Sequence, residues 1–183
     1  MREHKIVIMG SMGSGKTTAI RAVSDSAVVS TDVRNTDLES SAKLTTTVAM
    51  DYGDISLPNG DRLRLYGTPG QDRFEFIWPI VSFGATGAIL LVDATATEPL
   101  RMFKGFLEVL RRDNPDLPVV AGVTKLDQTT TLQIDNLYDQ AEQLGFSLPV
   151  VPVDARDKSA VLNLLDILMS EIDALSLLAG MEA

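Results

Sequence analysis

Gly10-Ser11-Met12-Gly13-Ser14-Gly15-Lys16-Thr17 reads G-x-x-x-x-G-K-T and directly follows the apolar run Ile6-Val7-Ile8-Met9. No other stretch of the chain leaves so few folds open, because this motif needs a buried strand before it and a helix after it. Its glycines let the backbone bend around a polyphosphate, since positive φ and close approach cost little without a Cβ. The amides from Gly13 to Thr18, with Met12 at the start of the bend, are expected to point inward. The helix N-terminus that follows adds its positive dipole end. Lys16 is placed to reach the terminal phosphates, and the Thr17 hydroxyl to take a Mg²⁺ position. Ser14 and Gly15 complete the cradle. The loop predicts a nucleoside triphosphate site; the plain alternative is a chance match in an ordinary strand-turn-helix.

The remaining chain excludes several other classes. With 183 residues it suits one domain spanning 1–183 with a real core. A formal net charge of −9 disfavours non-specific attraction to nucleic acid or anionic lipid. The densest apolar run, Ala88 to Val92, is strand-sized and not a membrane span. The N-terminus carries no signal-peptide core and no glycine at position 2. With no cysteine there is neither a disulfide nor a lipid anchor on sulfur, which fits a cytoplasmic protein.

Strand-like and helix-like segments alternate along the chain. Lys5 to Met9 reads as a buried parallel strand, Thr17 to Val23 as a helix, and Ser24 to Thr46 as a long functional loop without periodicity. Val48 to Ile55 and Arg62 to Tyr66 flank Pro58-Asn59-Gly60-Asp61, a strong hairpin signal. Asp72 to Phe83 is expected to be an irregular helix interrupted at Pro79. Strands follow at Gly87 to Val92, Pro118 to Val123 and Pro149 to Val153. Helices are expected at about Pro99 to Arg112, at Thr131 to Leu144 ended by Gly145, and from Lys158 to about Leu178. The pattern predicts an α/β three-layer sandwich of about six mostly parallel strands with one antiparallel edge hairpin. The ligand belongs at the carboxyl ends of the strands.

Thr124-Lys125-Leu126-Asp127 falls at such an end. A carboxylate there accepts from the N1–H and exocyclic amine of guanine; adenine offers no such donor pair. The stem of Lys125 suits the face of a base. Asp154-Ala155-Arg156 ends the next strand and brings the Ala155 amide toward the guanine carbonyl. Short polar turns of this kind are common, so the second assignment is weaker than the first.

From about Lys5 to Leu175 the chain resembles a Ras-superfamily small GTPase, with the P-loop NTPase fold and its five guanine-nucleotide motifs in order. Tyr66-Gly67-Thr68-Pro69-Gly70-Gln71-Asp72-Arg73-Phe74 and Thr46 to Gly53 resemble the prokaryotic, MglA-like branch most. The resemblance implies GTP and GDP binding, Mg²⁺, slow hydrolysis, and two switch loops that order with the γ-phosphate. It puts Lys16 on the β/γ-phosphates, Thr17 on Mg²⁺ and Thr18 at the α-phosphate. Thr47, with Thr45 and Thr46 as neighbours, corresponds to the first-switch Mg²⁺ ligand; a threonine-rich strand is the plain alternative. Gly70 corresponds to the glycine whose amide meets the γ-phosphate, and Gln71 to the glutamine that orients the attacking water. Arg34 lies where this branch supplies a catalytic arginine, although a solvated loop arginine is the simpler reading. Arg73 is a second candidate.

One departure is serious. Where the family keeps a metal-linked aspartate this chain has Gly67, so the metal binds more weakly or recruits another acid, Asp51 and Asp93 being nearest. The alternative function is therefore a guanine-nucleotide-binding module that hardly hydrolyses. A nucleotide kinase is disfavoured by the base-reading loop. Met12 stands where Ras proteins keep glycine, and Thr124 replaces the commoner asparagine. His4 reads as a surface residue. Phe74, Phe76, Ile77 and Trp78 read either as core or as a partner surface, which the resemblance assigns to a roadblock-type (MglB-like) regulator.

Overall fold

The computed structural model describes residues 2–30, 50–129 and 131–181. Its sheet is built on β1 (Glu3–Gly10), whose side chains alternate between two faces. Ile6 and Ile8 join the core on one side, Val7 and Met9 on the other, all at 1% exposure or less. β5 (Gly87–Asp93) does the same, with Ile89 and Leu91 against Ala88, Leu90 and Val92. A strand covered on both faces has no polar side to show, which is why both read as unbroken apolar runs.

Two helical layers cover those faces. On one side lie α1 (Lys16–Val23) and α5 (Lys158–Met181), which contribute Ile20, Leu164 and Leu168. On the other lie α2 (Trp78–Ser82), α3 (Pro99–Asp113) and α4 (Ile134–Gln143), with Phe103, Leu107, Leu110 and Leu137. Each such side chain stabilises the fold by ~1.5–3 kcal/mol of removed apolar surface.

The remaining strands are β2 (Val29–Ser30), β3 (Asp51–Ser56), β4 (Arg62–Gly67), β6 (Val119–Thr124) and β7 (Val150–Pro152). Their order is β2-β3-β4-β1-β5-β6-β7, with β1 parallel to both β4 and β5. β3 runs against β4 and forms the expected hairpin, turned by Gly60 at φ +87°. The connection after β1 leads to one side of the sheet and the connection after its neighbour β5 to the other, so a crevice opens at the carboxyl ends of these strands.

Three expectations need correction. The stretch from Ser24 onward is not wholly irregular: Val29–Ser30 adds a two-residue edge strand beside the six longer ones. Pro79 does not interrupt a helix. Asp72–Ile77 is a 3₁₀-helix, and Pro79 stands in the first turn of α2, where its missing N–H is harmless. His4 is a residue of β1 itself, half-buried, with Nδ1 out of solvent, and not a surface residue before the strand.

Candidate nucleotide site

The loop between β1 and α1 sits at the mouth of the crevice. Gly13 and Gly15 take φ of +81° and +99°, a backbone that a side chain strains. Gly15 caps α1 and lies so near the last strand's loop that a Cβ on it would come within 2.8 Å of the Ala155 Cβ. Lys16 is buried, and its Nζ donates to the carbonyls of Gly10 at 2.8 Å and Ser11 at 2.7 Å. Burial pulls the Lys16 ammonium down to about 8, with nearby Asp51 partly offsetting the shift.

Beside the loop lies a cavity of about 530 Å³, within the usual range for small-molecule sites. It is lined by Gly13, Ser14, Gly15 and Thr18, by Thr124 to Gln128, and by Pro152 to Arg156. The three segments that sequence spacing assigned to phosphate and base thus meet around one opening. Asp127 is exposed within the short 3₁₀ turn Leu126–Gln128, and the Arg156 guanidinium feels its charge. Arg156 holds Asp154 in a two-pronged pair at 2.9 and 2.8 Å, which keeps the Asp154 carboxyl down at about 2.

Side chains not foreseen in detail brace these loops. Lys125 adopts φ +59°, rare for a residue with a Cβ, and its Nζ donates to the Gly13 carbonyl at 2.9 Å and to Asp93. Burial pushes the Asp93 carboxyl up, but donors from Lys125 and Thr95 outweigh it and hold the group below the usual range. Asp93 is therefore engaged in the sheet-end loops. The buried Thr124 hydroxyl lies 3.2 Å from the Ser14 carbonyl and 3.3 Å from that of Val92. A hydroxyl at the end of a strand, opposite a phosphate loop, was the one sequence signal for this tie.

The other guessed acid, Asp51, lies on β3 directly across from Gly67. Its Oδ2 accepts a hydrogen bond from the Thr17 hydroxyl. A Cβ on Gly67 would stand 3.2 Å from the Asp51 Cβ and 3.0 Å from the Ile20 Cδ1, so the glycine leaves room for that carboxylate.

Past β4, the chain crosses the phosphate loop. The Met12 amide donates to the Gly70 carbonyl at 2.9 Å, and a Cβ on Gly70 would lie 2.6 Å from the Lys16 Nζ. The Gln71 Nε2 reaches the Met12 sulfur at 3.7 Å. The Trp78 indole donates to the Pro69 carbonyl at 3.1 Å. Phe74, Ile77 and Trp78 are core, whereas Phe76, Ile80 and Phe83 are 63–80% exposed. Arg34, Thr45, Thr46 and Thr47 lie outside the described residues, as does the side chain of Arg73. Among the described residues no group of three His, Cys, Asp or Glu side chains forms a metal cluster, and no helix is long and apolar enough to cross a membrane.

A phosphate loop at the switch point of a mostly parallel sheet, with a base-sized cavity beside it, defines a nucleotide-binding α/β domain. Over residues 26–167 the chain matches the family model described as "Conserved hypothetical ATP binding protein", and it belongs to that family. The match starts beyond the phosphate loop. The chain is also 24% identical over 179 residues to the Ras-related protein RabC of Dictyostelium discoideum, covering 93% of this chain and 84% of RabC. It is 25% identical over 190 residues to the Ras-related protein Rab-27B of Bos taurus (92% and 81%). It is 28% identical over 148 residues to the Ras-related protein Rab5 of Nicotiana tabacum (78% and 69%). At the coarse level these similarities support a Ras-related small GTPase.

Proposed function

We propose that this chain is a single-domain molecular switch that binds GTP and GDP with Mg²⁺ and hydrolyses GTP slowly. The observation that carries the reading is the meeting of the phosphate loop, Asp127 and the Ala155 amide loop around one cavity. The matching family's description names ATP. An exposed carboxylate at the base end favours guanine, whose N1–H and amino group donate to it, over adenine, which presents an acceptor at N1. The relatives' Ras-related names agree with that preference.

In this reading Lys16 holds the β/γ-phosphates, Thr18 the α-phosphate, and Gly70 the γ-phosphate. Gln71 orients the attacking water, with Arg34 as the candidate charge-stabilising arginine. The hydroxyl and carboxylate already paired at Thr17 and Asp51 are the hard oxygen donors that Mg²⁺ takes, with Thr47 joining in the triphosphate state. When bound, the ion neutralises phosphate charge. Asp51 supplies the acid that Gly67 does not, which weighs against the non-hydrolysing alternative. The exposed Phe76, Ile80 and Phe83 suit a protein partner on the second switch, for which the MglA-like resemblance suggests a roadblock-type regulator. The protein acts in the cytoplasm.

The test is single-turnover GTP hydrolysis by wild type and Gln71→Ala, each preloaded with GTP. Slow wild-type hydrolysis that falls tenfold or more in the variant, with affinity kept, supports the reading. Equal rates contradict it.

A further inference from the structure

The chain has seven methionines, and Met12 stands out among the five whose side chains are described. It is 72% exposed, whereas Met9 is fully buried and Met50, Met102 and Met169 are half-buried. It also sits on both sides of one contact: its amide donates to the Gly70 carbonyl, and its sulfur receives the Gln71 Nε2. The chain has no cysteine to intercept an oxidant first. Thioether oxidation follows exposure, so the most exposed of the described methionines is also the one whose sulfur touches Gln71.

We propose that Met12 is a reversible oxidation site through which hydrogen peroxide slows the hydrolytic step. The sulfur attacks one peroxide oxygen, the O–O bond breaks, and an S–O bond forms. The sulfur gives up two electrons, and the second oxygen leaves with both protons as water. A thioether is a weak acceptor, whereas the sulfoxide oxygen is a strong one. The Gln71 amide, already 3.7 Å from that sulfur, is then held against the phosphate loop and away from a water at the γ-phosphate. One ordinary hydrogen bond of this kind corresponds to about a three- to tenfold lower rate. A methionine sulfoxide reductase restores the thioether.

This inference rests on the hydrolytic role given to Gln71, and the experiment separates the two. Full-length protein is treated with graded hydrogen peroxide and mapped by peptide mass spectrometry. GTP hydrolysis and GDP affinity are then measured, with and without reductase, for wild type, Met12→Leu and Gln71→Ala. The expected result is that the Met12 peptide gains one oxygen before Met50, Met102 or Met169, and that wild-type hydrolysis falls three- to tenfold. GDP affinity should stay within twofold, reductase should restore the rate, and the Met12→Leu rate should be indifferent to peroxide. Preferential oxidation of Met50, Met102 or Met169 over Met12, or an equal loss in Met12→Leu, overturns the proposal. A dead Gln71→Ala with a peroxide-insensitive wild type overturns it while leaving the switch reading intact. A fully active Gln71→Ala overturns the switch reading itself.

Discussion

Asp51 and Gly67 face each other across the β3–β4 ladder, and the carboxylate of one covers the space that a side chain on the other would need. The Asp51 Oδ2 would lie 3.4 Å from a Cβ placed on Gly67. The Asp51 carboxylate projects from β3 to the Thr17 hydroxyl. Asp51→Ala is expected to remove at least tenfold of the Mg²⁺ effect on nucleotide affinity, while affinity in chelator changes little. Gly67→Asp alone overpacks Ile20 and sets two carboxylates together, destabilising the fold by ~1–3 kcal/mol. In the Asp51→Ala background the same change finds room and recovers part of the metal response. Titrations with Mg²⁺ and with chelator, plus urea denaturation, check all three.

Lys16 predicts a pH profile. Without ligand its ammonium titrates at about 8, well below an ordinary lysine, because it is buried. A polyphosphate favours the charged form and raises that value in the complex. Below pH 8 the group is charged in both states, and affinity should be flat. Above pH 8 binding must take up a proton, so affinity should fall by up to tenfold per pH unit. For the protein without ligand the sign is the reverse: the charged form is disfavoured by folding, so this group's destabilisation fades as pH rises from about 8 toward 10.5. Fluorescent-nucleotide titrations from pH 6.5 to 9 test the binding limb, and Lys16→Met should flatten it.

Much of this site was legible beforehand because its parts are local patterns. Gly10 to Thr17, Thr124 to Asp127 and Asp154 to Arg156 each combine a strand end with a loop whose chemistry is short-range. The hairpin was equally readable from Asn59-Gly60 between two strand-like runs. Partners distant in sequence were not. That Lys125 bonds Gly13, or that Thr17 bonds Asp51, depends on which elements the topology brings together, and a period-2 or 3.6 pattern carries nothing about that. Pro79 misled for a related reason: proline forbids a helix interior but suits a first turn, and the choice depends on where the preceding 3₁₀ segment stops. The division of buried Phe74 from exposed Phe76 likewise followed only from the fold, which takes one ring into the core and leaves the other at the surface.

Trp78 offers a separate check on the second loop. Its indole pairs with the Pro69 carbonyl while its ring packs 4.3 Å from that of Phe106. Trp78→Phe keeps most of the apolar contact and leaves the carbonyl unpaired, at a cost of ~1 kcal/mol. The expected fall in Tm is about 2–4 °C by circular dichroism, for a chain of this size. A fall near zero would mean that water replaces the indole without loss.

At the base end, Asp127→Ala should weaken GTP and GDP by at least about ten- to a hundredfold, the range for a single hydrogen bond to a charged group. Adenine nucleotides, which present no such pair, should bind the variant and wild type alike.

The central claim is guanine recognition beside a working phosphate loop, and direct competition decides it. Fluorescent GDP bound to the purified protein would be displaced by unlabelled GTP, GDP and ATP, each with Mg²⁺ and with chelator. The account predicts displacement by both guanine nucleotides at concentrations at least a hundredfold below ATP, with affinity weakened by chelator. ATP displacing as well as GTP would contradict it, and would return the chain to the adenine nucleotide named by its family's description.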